Sequence, residues 1–143
     1  MFDFARCFPG FVSFIMIKAA VAVNRRLRPD DPCLEDQENA VAAAIERTIH
    51  IHGRIGYAEG PQVPHPGAPE YAIELRKFAG WWQRVNESQR ATGVEAMAFT
   101  AEFGPPGYMH TLPFTGQPVA DLWEVNAWMT RFFEEQFQAW SSK

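Results

Sequence analysis

Apolar and polar residues alternate in two short segments of the chain and recur at helical spacing in three longer ones. The alternating segments cover residues 48–55 and 94–102. Successive side chains of an extended strand point to opposite faces. Each segment is therefore predicted to be a strand with one apolar face, on which helices pack, and one face that turns polar toward its C-terminal end.

The two predicted strands divide their residues between these faces in the same way. The apolar faces carry Ile49, Ile51 and Ile55 in the first strand, and Met97, Phe99 and Phe103 in the second. The polar faces carry His50, His52 and Arg54 in the first strand, and Ala98, Thr100 and Glu102 in the second. In a parallel α/β barrel the chemistry gathers at the C-terminal ends of the strands, so these polar residues are the candidates for a site.

Three segments have the spacing of amphipathic helices. The first covers residues 34–47, the second begins at Pro69 and is capped by Gly93, and the third begins at Pro118. Their predicted buried stripes are Val41, Ala44, Ile45 and Thr48; Tyr71, Leu75, Phe78, Trp82 and Val85; and Leu122, Val125, Met129, Phe133, Phe137 and Trp140. Loops rich in glycine and proline follow both strands, at residues 56–68 and 104–117.

The alternation of helices and strands predicts an α/β fold with a parallel sheet. Parallel strands need helices on the sheet faces and neighbours on both sides. Two or three strands cannot close a barrel, which takes eight strand–helix units and roughly 250 residues. The chain therefore looks like the last part of a larger α/β protein. The motifs described below imply that this protein is a TIM barrel, so that the fold class is a partial (β/α)8 barrel whose last two or three strand–helix units lie in residues 34–143.

Residues 1–33 form a separate segment that the pattern leaves ambiguous. Residues 11–17 fit a buried strand followed by a helix at 18–27, or one continuous helix across both, and residues 29–32 fit a turn. The apolar stretch at 11–23 contains Lys18 and is too short to span a bilayer. No clearly basic start precedes it, as a signal peptide would require.

Composition excludes some classes of partner. The chain has 143 residues, of which 47% are hydrophobic and 21% charged, which is typical of a globular protein. Its formal net charge of −4 offers no basic footprint for nucleic acid or an anionic membrane. Cys7 and Cys33 have no metal-binding spacing and are too few for a disulfide framework. We therefore expect reduced thiols in a cytoplasmic protein.

A set of short motifs between residues 50 and 137 resembles one protein family. In chain order these are HIHGRIGY at 50–57, EGPQV at 59–63, WW at 81–82, TAEFGPP at 100–106, LPFTGQP at 112–118, DLW at 121–123 and NAWM at 126–129. Together they resemble the C-terminal third of a xylose isomerase-like TIM barrel, and more narrowly the bacterial sugar phosphate isomerase/epimerase proteins.

The resemblance implies a function and roles for particular residues. The two strands would be the seventh and eighth of a barrel that interconverts sugars or sugar phosphates with one divalent metal ion. His52 and Glu102 would be metal ligands, Glu102 would assist proton transfer, and Arg54 would face the substrate. His50 would lie one layer deeper. Mn²⁺, Mg²⁺, Co²⁺ and Zn²⁺ all suit such ligands.

The resemblance also implies ligands on earlier strands, which residues 1–49 do not recognisably supply, and this predicts a truncated C-terminal portion. The alternative is an inactive remnant that acts as a binding or assembly module, and open sheet edges favour a homo-oligomer. A third hypothesis, metal-dependent phosphodiester cleavage, is disfavoured by the acidic charge. Structural roles are also open for His50, His52, Arg54 and Glu102, whereas His65 and His110 are predicted at the surface and Trp81 and Trp82 in helix packing.

Overall fold

The computed structural model describes residues 33–142, with side chains from residue 38 onward. The strand, helix and turn predicted within residues 1–32, together with Cys7 and the side chain of Cys33, lie outside the described residues. Within residues 33–142, no helix combines the length and apolar character needed to cross a bilayer.

The described part of the chain alternates helices and strands in the predicted order. Its elements are α1 (Cys33–Arg47), β1 (His50–Gly53), a 3-10 helix (Pro69–Tyr71), α2 (Ala72–Ala91), β2 (Ala98–Ala101) and α3 (Leu122–Ser141). The strands β1 and β2 pair in parallel, from His50 opposite Ala98 to Gly53 opposite Ala101. The small α/β fold with β-α-β connectivity is therefore confirmed.

Both strands are shorter than the alternating pattern predicts. Before β1, Thr48 still belongs to the end of α1, because its hydroxyl donates to the carbonyl of Ala44 at 2.7 Å and its amide donates to that of Ile45 at 3.2 Å. Ile49 follows with 66% of its surface exposed, so its predicted place in the apolar face is wrong. Ile51 and Ile55 are buried on that face as predicted.

The residues before β2 complete the end of α2. Gly93 has a φ of 85°, and the amide of Val94 donates to the carbonyl of Gln89 at 3.1 Å. A left-handed residue that ends a helix is usually glycine, since it has no Cβ to clash. The predicted cap at Gly93 is confirmed, and the strand starts at Ala98 rather than at Val94.

The last helix starts later than predicted. Pro118 bridges to Thr111 in the preceding loop, and α3 begins at Leu122. Asp121 is the N-cap, with extended backbone and a carboxylate that accepts from the amide of Glu124 at 2.9 Å. Proline suits the first turn of a helix, but here the capping aspartate sets the boundary.

An aromatic cluster packs α2 and α3 on the apolar face of the sheet. At its centre, Phe133 of α3 stacks on Phe99 of β2 with ring centroids 3.9 Å apart, and Trp82 of α2 contacts both rings edge-on. The predicted buried stripes are confirmed at Val41, Ile45, Thr48, Phe78, Trp82, Val85, Val125, Met129 and Phe133. Tyr71, Leu75, Phe137 and Trp140 are half-buried at the edges of this core.

Gly53 of β1 lies directly against the Phe99 ring of β2. A Cβ at this position would overlap the Phe99 ring. We expect Gly53→Ala to lower the free energy of unfolding by about 1–3 kcal/mol, the usual range for overpacking a core. Urea denaturation followed by circular dichroism measures this. Gly80→Ala is the matched control: it meets nothing within 4 Å on α2 and should stabilise by about 0.5–1 kcal/mol. Equal effects of the two changes would contradict the packing.

The Asp121 cap gives a second stability prediction. Asp121→Ala removes the acceptor for the Glu124 amide, and we expect a loss of about 1 kcal/mol in the free energy of unfolding. Asp121→Asn keeps a capping oxygen and should stay within a few tenths of a kcal/mol of the unaltered chain. Thermal denaturation of the three proteins decides this, and identical melting temperatures for the alanine and asparagine variants would exclude a capping role.

Candidate functional site

The predicted site residues meet where the two strands end. His52 is the third residue of β1, Arg54 follows its last residue, and Glu102 follows the last residue of β2. His52 Nδ1 lies 3.0 Å from Glu102 Oε2, and Arg54 Nη2 donates to Glu102 Oε1 at 3.1 Å. The structure therefore brings all three together around one carboxylate, which shares its two oxygens between an imidazole and a guanidinium.

The side chains reach diagonally across the sheet rather than to their register partners. In the ladder His52 lies opposite Thr100, but its ring contacts Glu102, two residues further along β2. His50 lies opposite Ala98, but its Nε2 is 2.9 Å from the hydroxyl of Thr100. The two histidine rings are neighbours, with centroids 4.8 Å apart, and the deeper position expected of His50 stays a prediction.

Arg54 is the most buried member of the site, with 7% of its side chain exposed, against 21% for His52 and 31% for Glu102. Its Nε also donates to the backbone carbonyl of Glu102 at 2.6 Å. A guanidinium presents its donors in a fixed planar fork, and here one fork holds both the backbone and the carboxylate of the same residue. The structure therefore places Arg54 against Glu102, and its predicted contact with substrate stays a prediction.

Tyr108 covers the Arg54 guanidinium. The arginine Cζ lies 4.4 Å from the centre of the Tyr108 ring, within the range of a cation–π contact. The ring also lies over Gly104, where a Cβ would come within 2.8 Å of it. Tyr108 therefore packs against both the guanidinium that holds Glu102 and the backbone two residues after Glu102.

Two amide side chains contact the backbone just after Glu102. Gln62, from the loop after β1, bonds to the amide and carbonyl of Gly104, and Asn126, from α3, bonds to the amide and carbonyl of Phe103. Sequence reasoning assigned neither residue a role in the site. The available signal was their presence in the EGPQV and NAWM motifs, where a polar amide adjoins residues that become buried.

The remaining candidates occupy positions close to those predicted. His110 is exposed, as predicted, and its Nε2 lies 3.2 Å from the Tyr57 hydroxyl. His65 lies in the loop after β1 and is partly exposed, while its Nδ1 accepts from the amide of Gly67 and its ring packs edge-on against Trp128. Trp81 and Trp82 pack in the helical layer, which confirms that prediction.

Tyr71, the last residue of the 3-10 helix, packs against Tyr57. The two tyrosine rings meet edge-on, with centroids 5.5 Å apart. Desolvation raises the pKa of the Tyr71 phenol, and Tyr57, Glu70 and Glu74 add smaller electrostatic effects in the same direction. Tyr71 is therefore a neutral packing residue beside the site at physiological pH.

The donors that the site offers to a cation are one imidazole nitrogen and one carboxylate. Among the side chains that the structure describes, no group of three or more histidine, cysteine, aspartate or glutamate residues meets in a metal-binding arrangement. Comparison with protein-family models, curated proteins and solved structures gives no match for this chain. The family resemblance therefore rests on the motifs alone.

The buried fork of Arg54 leads to a stability prediction. Arg54→Lys keeps the positive charge but replaces the planar fork with a single ammonium group, which cannot reproduce both bonds to Glu102. We expect the free energy of unfolding to fall by about 1.5–3 kcal/mol, the usual contribution of a hydrogen bond to a charged group. Urea denaturation at neutral pH measures this.

Arg84 provides the matched control for that substitution. It is exposed on α2, so Arg84→Lys should change the free energy of unfolding by less than about 0.5 kcal/mol. Equal stability of the two lysine variants would show that the contacts of Arg54 do not contribute to folding.

Proposed function

We propose that this protein is a metal-dependent sugar or sugar phosphate isomerase/epimerase of the xylose isomerase-like type, with β1 and β2 as the seventh and eighth strands of a (β/α)8 barrel. His52 and Glu102 would hold a divalent metal ion. The parallel pairing of the strands, the helices packed on their apolar face and the polar residues at their C-terminal ends support this proposal.

The observation that carries the proposal is the 3.0 Å separation of His52 Nδ1 and Glu102 Oε2. Nitrogen and oxygen donors bind Mg²⁺ or Zn²⁺ at about 2.0–2.2 Å. Two such donors at right angles around one ion lie about 3.0 Å apart. The separation therefore suits two neighbouring ligands of a single cation, which would bind once Nδ1 gives up its proton and the ring turns its lone pair toward the ion.

The chemistry of the donors leaves several ions possible. One imidazole with a carboxylate suits Mn²⁺, Mg²⁺, Co²⁺ or Zn²⁺. A bound divalent ion would polarise the substrate carbonyl and stabilise negative charge that develops on the sugar oxygens. Arg54 holds Glu102 Oε1 and the Glu102 carbonyl, so the direction of the carboxylate is set by the protein before substrate binds.

Isomerisation and epimerisation both remove a proton from a carbon next to a carbonyl. Glu102 is a carboxylate at the end of a strand and is 31% exposed, so a substrate can approach it. A positioned carboxylate can act as the base in such a step. Arg54 would orient the base, and its positive charge would stabilise negative charge nearby. The sugar hydroxyls or phosphate would contact residues of the loops after β1 and β2.

The direct test is metal binding by the 143-residue chain. We expect weak binding of Mn²⁺ or Co²⁺ at one site in isothermal titration, because His52 and Glu102 supply only two protein ligands to the ion. His52→Ala and Glu102→Ala should each weaken binding by more than the roughly 10–100-fold that loss of an outer-shell partner costs. His110→Ala and Glu87→Ala, which alter exposed residues of the same types, should bind like the unaltered chain.

Three outcomes separate the hypotheses. Unchanged metal content in both the His52 and Glu102 variants would end this assignment of the ligands. An unaltered chain that folds but binds no divalent ion would support the alternative of an inactive remnant acting as a binding or assembly module. With metal bound, uptake of solvent deuterium at the carbon beside the carbonyl, screened by NMR over ketoses and ketose phosphates, tests the reaction class itself.

A further inference from the structure

The β1–β2 ladder ends before the candidate metal ligand on β2 is reached. The last register pair joins Gly53 to Ala101, and the Glu102 amide is 3.4 Å from the Gly53 carbonyl. Directly after β1 the chain turns, with the Arg54 amide donating to the carbonyl of His52 at 3.0 Å. The backbone that follows Glu102 therefore continues without β1 as a partner.

Side chains supply the hydrogen bonds of this continued backbone. The Asn126 amide accepts from the Phe103 N–H at 2.9 Å and donates to the Phe103 carbonyl at 3.0 Å. The Gln62 amide accepts from the Gly104 N–H at 2.7 Å and donates to the Gly104 carbonyl at 3.2 Å. Each side chain thus pairs with both backbone groups of one residue, as a neighbouring strand would.

The two amides come from different parts of the fold. Asn126 lies in the second turn of α3 and also donates to the Leu122 carbonyl within its own helix, which fixes its rotamer. Gln62 is 1% exposed and precedes Val63, whose amide returns to the carbonyl of Ile55 at 2.9 Å. The backbone after Glu102 is therefore tied both to the last helix and to the loop after β1.

We infer that Gln62 and Asn126 are positioning residues that hold Glu102 in place for its proposed role. This inference rests on the proposed function, because it assigns Gln62 and Asn126 the role of positioning the proposed metal ligand Glu102. Phe103 and Gly104 directly follow Glu102, so any slip of their backbone moves the carboxylate relative to His52 and Arg54. Both amides are needed, since each secures a different residue.

Amide hydrogen exchange measured by NMR tests, without any metal, whether Gln62 and Asn126 hold this backbone. Asn126→Leu should speed exchange of the Phe103 amide by at least tenfold, and Gln62→Leu should do the same for Gly104. Asn126→Asp and Gln62→Glu keep the accepting oxygen but cannot donate, so both amides should stay protected. These conservative variants also cover the case in which a leucine variant fails to fold.

Mn²⁺ titration of the same proteins tests the effect on the site. Both leucine variants should bind Mn²⁺ about 10–100-fold more weakly, which is the usual effect of losing an outer-shell partner, and the acidic variants should fall in between. Gln83→Leu is the matched control, because the Gln83 amide donates to the exposed Glu87 within α2, and the Mn²⁺ affinity of this variant should be unchanged.

A third measurement separates this inference from the proposed function. An ionised Glu102 can only accept, so His52 Nδ1 carries the proton of their bond, and its ring signals in metal-free ¹H–¹⁵N spectra report that contact. Changed His52 signals in the leucine variants would support positioning even if the unaltered chain binds no Mn²⁺. Folded leucine variants with unaltered His52 signals and unaltered Mn²⁺ affinity would overturn it.

Discussion

The backbone N–H and C=O groups of residues 102–104 need hydrogen-bond partners beyond the end of the parallel ladder, and the rest of the structure depends on how they are supplied. A buried carbonyl or amide without a hydrogen bond is costly. Three successive carbonyls in this segment accept from Arg54, Asn126 and Gln62 in turn. Side chains therefore take the place of a neighbouring strand next to the carboxylate that contacts His52 and Arg54.

The aromatic core supports this arrangement from below. Phe133 stacks on Phe99 of β2 and thereby sets where α3 crosses the sheet. Val125 and Met129, on either side of Asn126 along the helix, are fully buried, so the helix cannot rotate without breaking contacts on that face. The packing of α3 on the sheet therefore fixes the position of the Asn126 side chain. Asn126 in turn holds the backbone next to Glu102.

The sequence was enough to predict which face of each strand a side chain occupies. It was not enough to predict how far the two strands pair or in which register. Alternation along residues 50–55 and 98–103 assigned the side chains to their faces, because that period follows from extended backbone alone. Ladder length depends on the partner strand, so Ile49 was misplaced and both strands were predicted too long. Register is equally non-local, and the diagonal contact of His52 with Glu102 could not be read from either strand. Asn126, within an amphipathic helix, has the pattern of any solvent-facing position.

The two oxygens of the Glu102 carboxylate have different partners, and this difference relates the fold to the proposed chemistry. One oxygen is held by Arg54, whose guanidinium is itself buried under Tyr108, so this bond belongs to the folded scaffold. The other oxygen faces His52 from 3.0 Å, where the contact is between two groups that are both partly exposed. A proton lies between them as a hydrogen bond, whereas the proposed cation, at about 2.0–2.2 Å from each atom, would lie to one side of the line that joins them. Because Arg54 Nη2 bonds to the first oxygen, the second oxygen can contact His52, and the proposed metal site depends on that contact.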